Sequence, residues 1–133
     1  MEFKETKVKN FINAYQKLKA VAERYDRNDD IVRDSVIQRF EFTYETSWKC
    51  LQVILAEMGV SGVNAPRLVF RKAYSAGYID DEEVWLSIIK DRNFTSHEYS
   101  EDESIRICDR IVSVYVEEFK KLTDMVGKII AEG

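Results

Sequence analysis

The chain has 133 residues, 45% of them hydrophobic, which suits a single globular domain over residues 1–133 with a core of its own. A net charge of -4 and an isoelectric point near 5.1 disfavour a protein that binds nucleic acid over its whole surface, because such binding needs many lysine and arginine contacts to phosphate. One proline and five glycines favour a few long helices over many short strands.

The spacing of apolar residues predicts an all-α bundle with helices at about 4–24, 31–58, 66–76, from 80 or 81 into the polar segment 91–99, and 101–130. Glycines follow the second and third helices at Gly59 and Gly77, and the Ser100 to Glu103 capping box opens the last one. Cys50 and Cys108 lie inside apolar helical patterns, and no stretch of the sequence resembles a signal peptide or a membrane span, so we expect reduced core thiols in a cytoplasmic protein.

The second and last helices have apolar arcs wider than one stripe. The residues that widen them are Ile37, Phe42, Val53, Ile54, Ile107, Ile111, Val114 and Val116. A helix that is apolar on two sides is buried on two sides, which fits a homodimer interface and also the central helix of a single bundle. We expect a homodimer.

The segment Asp91–Tyr99 holds the only histidine, His97, among polar neighbours that include the candidate binding residue Ser96. Arg92 follows the inward-facing Trp85 by seven residues, so on a helix it projects about 20° from that tryptophan and needs a partner. His97 follows Arg92 by five residues, about 140° around an unbroken helix. Arg92 and His97 can therefore serve one site only if the helix ends near Thr95 or if a two-fold dimer builds the site from both copies of the chain.

Two interpretations of this segment are open. His97 as general acid or base with Arg92 stabilising the phosphorane would suit phosphodiester transfer without metal. Alternatively, His97 caps a helix or an interface and Arg92 forms a helix-end salt bridge.

Other charged residues have weaker patterns. Arg67 and Arg71 share a helix face and could form a basic binding rim or be solvated charges, and Glu41 and Glu45 could face a cationic group. With one histidine, no glycine-rich phosphate loop and no paired-cysteine motif, we expect no metal site and no cofactor.

The stretch Arg92-Asn93-Phe94-Thr95-Ser96-His97-Glu98-Tyr99 resembles the signature of HEPN-domain proteins, and residues 37–49 (IQRFEFTYETSWK) resemble the second helix of their nucleotidyltransferase substrate-binding branch. The resemblance implies an up-and-down four-helix bundle with an additional short helix, usually dimeric. It also implies a partner, a minimal nucleotidyltransferase encoded nearby.

The resemblance implies two competing functions. In one, the chain is a binding subunit that presents a nucleotide or acceptor substrate to its partner. In the other, it is a metal-independent ribonuclease toxin: Arg92 and His97 are catalytic, Asn93 positions the RNA, and the partner silences the toxin by adenylylating Tyr99. A third hypothesis is an orphan structural bundle, without such a partner, in which the polar segment only caps helices.

Overall fold

The computed structural model describes the backbone of residues 2–132 and the side chains of residues 4–132, so the two terminal residues of the expected 1–133 domain lie outside it. Four helices come first: α1 (Glu2–Ala22), α2 (Asp30–Glu57), the short α3 (Pro66–Ser75) and α4 (Glu82–Thr95). They are followed, as one uninterrupted rod, by α5 (Glu101–Arg110), a π-helical segment (Ile111–Tyr115) and α6 (Val116–Glu132).

The all-α class is confirmed, because residues 2–132 contain no strand. The predicted helix ends agree with the observed ones to within two residues. The four long helical rods form the bundle and α3 is the additional short helix. Within the described part of the chain, no helix is long and apolar enough to cross a membrane.

Local signals fix the helix ends as the sequence predicts. The Asp29 carboxylate accepts hydrogen bonds from the first turn of α2, and Ser100 and Glu103 form a complete capping box at the start of α5. After α2 and α3 the chain turns at Gly59 (φ 88°) and Gly77 (φ 83°), a left-handed conformation that costs glycine little. Each of these ends is therefore explained by residues within one turn of it.

The core is one apolar cluster with an aromatic centre. Phe40 stacks on Tyr115 with 5.7 Å between ring centroids, and Trp85 lies 4.7 Å from Phe70 and meets Phe119 edge-on at 5.4 Å. These rings come from α2, α3, α4, the π-helical segment and α6, so the cluster packs the first turn of α4, through Trp85, against α3 and the last rod.

Most of the wide apolar arcs are absorbed within one chain. Ile37 and Ile54 are buried, as are Ile107 and Ile111, because α2 is the central helix and contacts α1, α3, α4, α5 and the π-helical segment. Only Phe42 and Val114 of the widening residues are exposed. The arcs therefore follow from the central position of α2, and the homodimer stays a prediction.

The last rod departs from regular α-helical spacing. Ile111 is fully buried, while Val112, which α-helical spacing places one turn after the buried Cys108, is only partly buried. The Val116 N–H donates to the Ile111 carbonyl, five residues back, which is the hydrogen bond of a π-helix. This wider turn shifts the rotational register of all residues before it relative to those after it.

Candidate functional site

The polar segment Asp91–Tyr99 ends a helix, as one of the two arrangements proposed from spacing requires. α4 stops at Thr95, Ser96 is its C-cap residue, and the His97 N–H donates to the Phe94 carbonyl at 3.2 Å. The imidazole of His97 is exposed just beyond the helix end. The chain leaves the α-helical path before His97. The angle of about 140° that an unbroken helix would place between His97 and Arg92 therefore does not apply.

Arg92 faces inward beside α2. Its Nη1 donates to Oε2 of Glu41 at 3.3 Å, and its Nη2 lies 3.9 Å from Oε1 of Glu45. The Thr95 hydroxyl donates to the same Glu41 oxygen at 2.7 Å. The Arg92 side chain is only 22% exposed, and its Nε is buried without a hydrogen-bond partner among the described residues. The cationic group that Glu41 and Glu45 could face is Arg92.

His97 opens into a cleft of about 410 Å³ between the end of α4 and α5. The cleft is lined by Lys90, Asp91, Asn93, Phe94, His97, Glu103, Arg106, Ile107 and Arg110. It brings together two of the residues implied by the resemblance, His97 and Asn93. Arg92 does not line it, because its guanidinium points to α2 instead.

A buried carboxylate forms the back of the cleft. Asp91 is 6% exposed and accepts two hydrogen bonds from Arg110, at 2.8 Å from Nε and 2.9 Å from Nη2. The Tyr115 hydroxyl donates to the same carboxylate at 2.5 Å. Charge-assisted, bidentate bonds of this kind are strong and directional, so Asp91 fixes the plane of the Arg110 guanidinium.

The π-helical segment makes this double contact possible. Arg110 and Tyr115 are five residues apart, which on an α-helix would separate their side chains by about 140°. In a π-turn, where backbone hydrogen bonds join residues five apart, the repeat is wider and this angular separation is smaller. Both side chains therefore reach Asp91 from the same side of the rod.

The pKa values of Tyr115 and Arg110 are both raised, which favours the protonated, hydrogen-bond-donating form of each side chain. Burial, with the hydrogen bond to Asp91, raises the pKa of Tyr115, so its hydroxyl stays protonated and donating. The hydrogen bond to Asp91 raises the pKa of Arg110 above its usual value, which keeps the guanidinium charged. Tyr115 and Arg110 therefore both stay protonated, as hydrogen-bond donors, across the neutral range.

The remaining candidate residues are placed elsewhere. The Ser96 hydroxyl donates to the Asn93 carbonyl at 2.6 Å, which caps the helix end. Tyr99 is half-buried against the core, and burial, then Asp34 and Glu41, raises the pKa of its hydroxyl.

The two arginines of the predicted basic rim lie along α3. Arg67 lines a depression next to the cleft. Lys90 and Asn93 line both the depression and the cleft. Arg71 lines a smaller cavity of about 110 Å³ further along. Arg67 is therefore a neighbour of the cleft, whereas Arg71 lines neither the cleft nor that depression.

The cysteines and acidic residues show no metal site. Cys50 and Cys108 are free and buried, as predicted, and burial raises the pKa of each thiol to about 12. Among residues 2–132 no group of three or more histidines, cysteines, aspartates or glutamates could hold a metal ion.

Sequence reasoning missed the α5 side of the cleft. Arg106 and Arg110 are four apart, which would have placed them on one face of the predicted last helix. Nothing in the sequence pairs that face with Asp91, because the pairing depends on the π-helical segment. The α4 side was predicted as a candidate site, and its Asn93 and His97 do lie in the cleft.

Comparisons with known proteins were made for the whole chain. The family described as nucleotidyltransferase substrate binding protein like matches residues 6–128. A crystal structure of a protein from Thermus thermophilus is 34% identical with a TM-score of 0.72, and the match covers 90% of this chain and 98% of that one.

A second solved structure is a mutant of the toxin–antitoxin pair MntA-HpeT. It is 16% identical to this chain with a TM-score of 0.77, and the match covers 96% of this chain and 99% of that one. At this identity the likeness shows the fold alone. No curated protein matches the chain.

Proposed function

The chain belongs to the nucleotidyltransferase substrate-binding-protein-like family, and from this membership we propose that it is the helical partner of a nucleotidyltransferase encoded nearby. In this pair it is a binding subunit that holds a nucleotide or acceptor substrate for the partner's active site. The observation that carries the proposal is the family match over residues 6–128, which includes every residue that lines the cleft beside His97.

The geometry supports a binding role in two ways. The cleft has the size of a small-molecule site and combines cations, an amide and an aromatic ring. Arg92, the arginine that a catalytic role would need, is held by Glu41 and Glu45 outside the cleft. Free, buried thiols further support a pair that works in the cytoplasm, where thiols stay reduced.

The test is co-expression of the tagged chain with the neighbouring nucleotidyltransferase. We expect the two proteins to co-elute from a size-exclusion column, and we expect the chain to lower the KM of the partner for its substrate. A His97→Ala, Asn93→Ala variant should keep the complex and lose the KM effect, whereas Lys9→Ala, an exposed cation on α1, should retain both. Absence of both a complex and a KM effect would contradict the proposal.

A second candidate function is metal-independent RNA cleavage, and the exposed position of His97 in the cleft favours it. In this reaction His97 takes the proton of a ribose 2′-hydroxyl, whose oxygen attacks the phosphate. The P–O5′ bond breaks, the leaving oxygen gains a proton, and a cyclic phosphate end remains. Arg92 would have to leave Glu41 to stabilise the phosphorane, an exchange that the binding role does not require.

Expression of the chain alone, wild type beside His97→Ala, separates this candidate from the first. Growth arrest and RNA decay with wild type only would favour the ribonuclease toxin. Adenylylation at Tyr99 by the partner would then be visible by mass spectrometry as one added AMP, absent in Tyr99→Phe. Normal growth and intact RNA in both strains would exclude cleavage for this chain.

We also propose a homodimer and, for the ribonuclease role, an RNA ligand. Phe42 and Val114, the two widening residues left exposed, would lie at the contact between copies. Light scattering on the purified chain tests this, and a monomer mass at about ten micromolar, well above the dissociation constants of stable dimers, would contradict it. A mobility shift with a short RNA tests the ligand.

A further inference from the structure

Two arginines on α5 are arranged for an anion. Arg106 and Arg110 lie one helical turn apart, both are exposed, and both line the cleft. Arg106 forms no ion pair with any residue from 4 to 132. Together with Lys90, the two arginines outnumber the two carboxylates that line the cleft, Asp91 and Glu103, by one charge, although the whole chain carries a net charge of -4.

Arg110 is oriented before any ligand arrives. Its Nε and Nη2 are bonded to the buried Asp91, which is itself held by the Tyr115 hydroxyl. A guanidinium has five N–H groups, so these two bonds leave Nη1 and one N–H of Nη2 for another acceptor. Because the plane of the group is already fixed, binding an anion costs Arg110 little side-chain entropy.

Neither carboxylate that lines the cleft forms an ion pair or a hydrogen bond with Arg106. Asp91 is committed to Arg110 and Tyr115, and the Glu103 carboxylate accepts the Ser100 backbone N–H at 2.9 Å in the capping box. The hydrogen bonds with Ser100 lower the pKa of Glu103, and the charge of the nearby Arg106 lowers it further, which keeps the carboxylate an acceptor bound to the backbone. Both carboxylates that line the cleft therefore already have partners.

The opposite wall of the cleft suits a base. Phe94 is 38% exposed at the end of α4, next to the amide of Asn93 and the imidazole of His97. Exposed aromatic rings stack on nucleobases, and an amide can pair with a base edge. Arginines on one wall and an aromatic ring with an amide on the other match the two ends of a nucleotide.

We propose that Arg106 and Arg110 bind the phosphate of a nucleotide whose base lies against Phe94, with Asp91 and Tyr115 as positioning residues for Arg110. This inference rests on the proposed function, because it names the ligand class that the binding subunit holds. Arg92 has no part in this phosphate site.

The experiment uses the one histidine of the chain as a reporter. AMP is titrated into the chain alone and into its complex with the nucleotidyltransferase, and the His97 ring protons are followed by NMR. Adenosine is the matched ligand without phosphate, and a short RNA is a second source of the same phosphate chemistry. We expect AMP to shift the His97 signals in both samples and to bind at least about tenfold more tightly than adenosine.

The variants separate the phosphate site from the rest of the cleft. Arg106→Ala should weaken AMP about tenfold and leave adenosine unchanged, because it removes charge-assisted bonds to phosphate only. Tyr115→Phe should weaken AMP a few-fold with adenosine unchanged, an effect that a general loss of stability would not give. Arg110→Lys, which keeps the charge but loses the fixed plane, should resemble Tyr115→Phe. Lys9→Ala is the charge-matched control and should bind as wild type.

The outcomes distinguish this inference from the proposed function. If a complex forms but AMP binds no more tightly than adenosine, or Arg106→Ala binds as wild type, the phosphate site is wrong and the partnership stands. If no complex forms and AMP binding depends on Arg106, the partnership is wrong and the site stands. RNA that shifts His97 while AMP does not would overturn the mononucleotide as ligand.

Discussion

Replacing Tyr115 by phenylalanine tests the network behind the cleft. The change removes one oxygen atom and leaves the ring, which stacks on Phe40 with 5.7 Å between ring centroids. The whole Tyr115 residue is 2% exposed. What is lost is the hydrogen bond from the hydroxyl to Asp91 at 2.5 Å. No cavity larger than the hydroxyl opens, so the packing contribution is small.

The magnitude follows from the charge and burial of the acceptor. A hydrogen bond to a charged group contributes about 1.5–3 kcal/mol to the free energy of unfolding. Asp91 keeps both bonds from Arg110 in the variant, so its carboxylate is not left bare and the lower half of that range applies. We expect a loss of about 2 kcal/mol, which for a domain of this size lowers the Tm by roughly 5 °C or more.

The measurement is urea unfolding followed by tryptophan fluorescence, with Tyr44→Phe as the matched control. Tyr44 is 3% exposed and pairs with Phe70 at the same 5.7 Å centroid distance, but its hydroxyl forms no hydrogen bond with any described residue. The control should therefore cost much less. Losses that agree within about 0.5 kcal/mol for the two variants would show that the Asp91 bond adds no stability.

Three further predictions concern stability. Glu41→Ala leaves Arg92 without its nearest partner and should cost about 1–2 kcal/mol in urea unfolding, and a loss below about 0.5 kcal/mol would mean that the pair is not stabilising. Ser100→Ala breaks the capping box and should cost about 1 kcal/mol and speed amide exchange in the first turn of α5, so unchanged exchange would contradict the cap. Burial raises the pKa of Cys50 and Cys108 from 9.0 to about 12, so the folded chain keeps protons that the unfolded chain releases. This stabilisation is complete below pH 9 and is lost as the pH rises through about 12, and native thiols that react rapidly with a thiol reagent near pH 8 would refute it.

The α4 side of the candidate site could be predicted and the α5 side could not. Trp85 and Arg92 are seven residues apart, and this local spacing alone predicts an inward arginine that needs a partner. The partner, Glu41, lies 51 residues away in the sequence, and its distance from Arg92 depends on how α2 packs against α4. Likewise, the end of α4 at Thr95 is a local event, whereas the contact of Asp91 with Arg110 joins two helices.

The sequence by itself determined the helices, their caps and the inward direction of Arg92, because these depend on the 3.6-residue repeat and on side chains within one turn of the helix ends. The tertiary structure decided which charges meet: Arg92 with Glu41, Arg110 and Tyr115 with Asp91, and His97 with the two arginines of α5 in one cleft. For Arg92 and Glu41 the physical reason is the packing of α2 against α4, and for the contacts of Asp91 it is the π-helical segment, Ile111–Tyr115. Its extra width is maintained by packing around Ile111 and Tyr115 and changes the register of a whole rod, an effect that no local pattern of the sequence encodes.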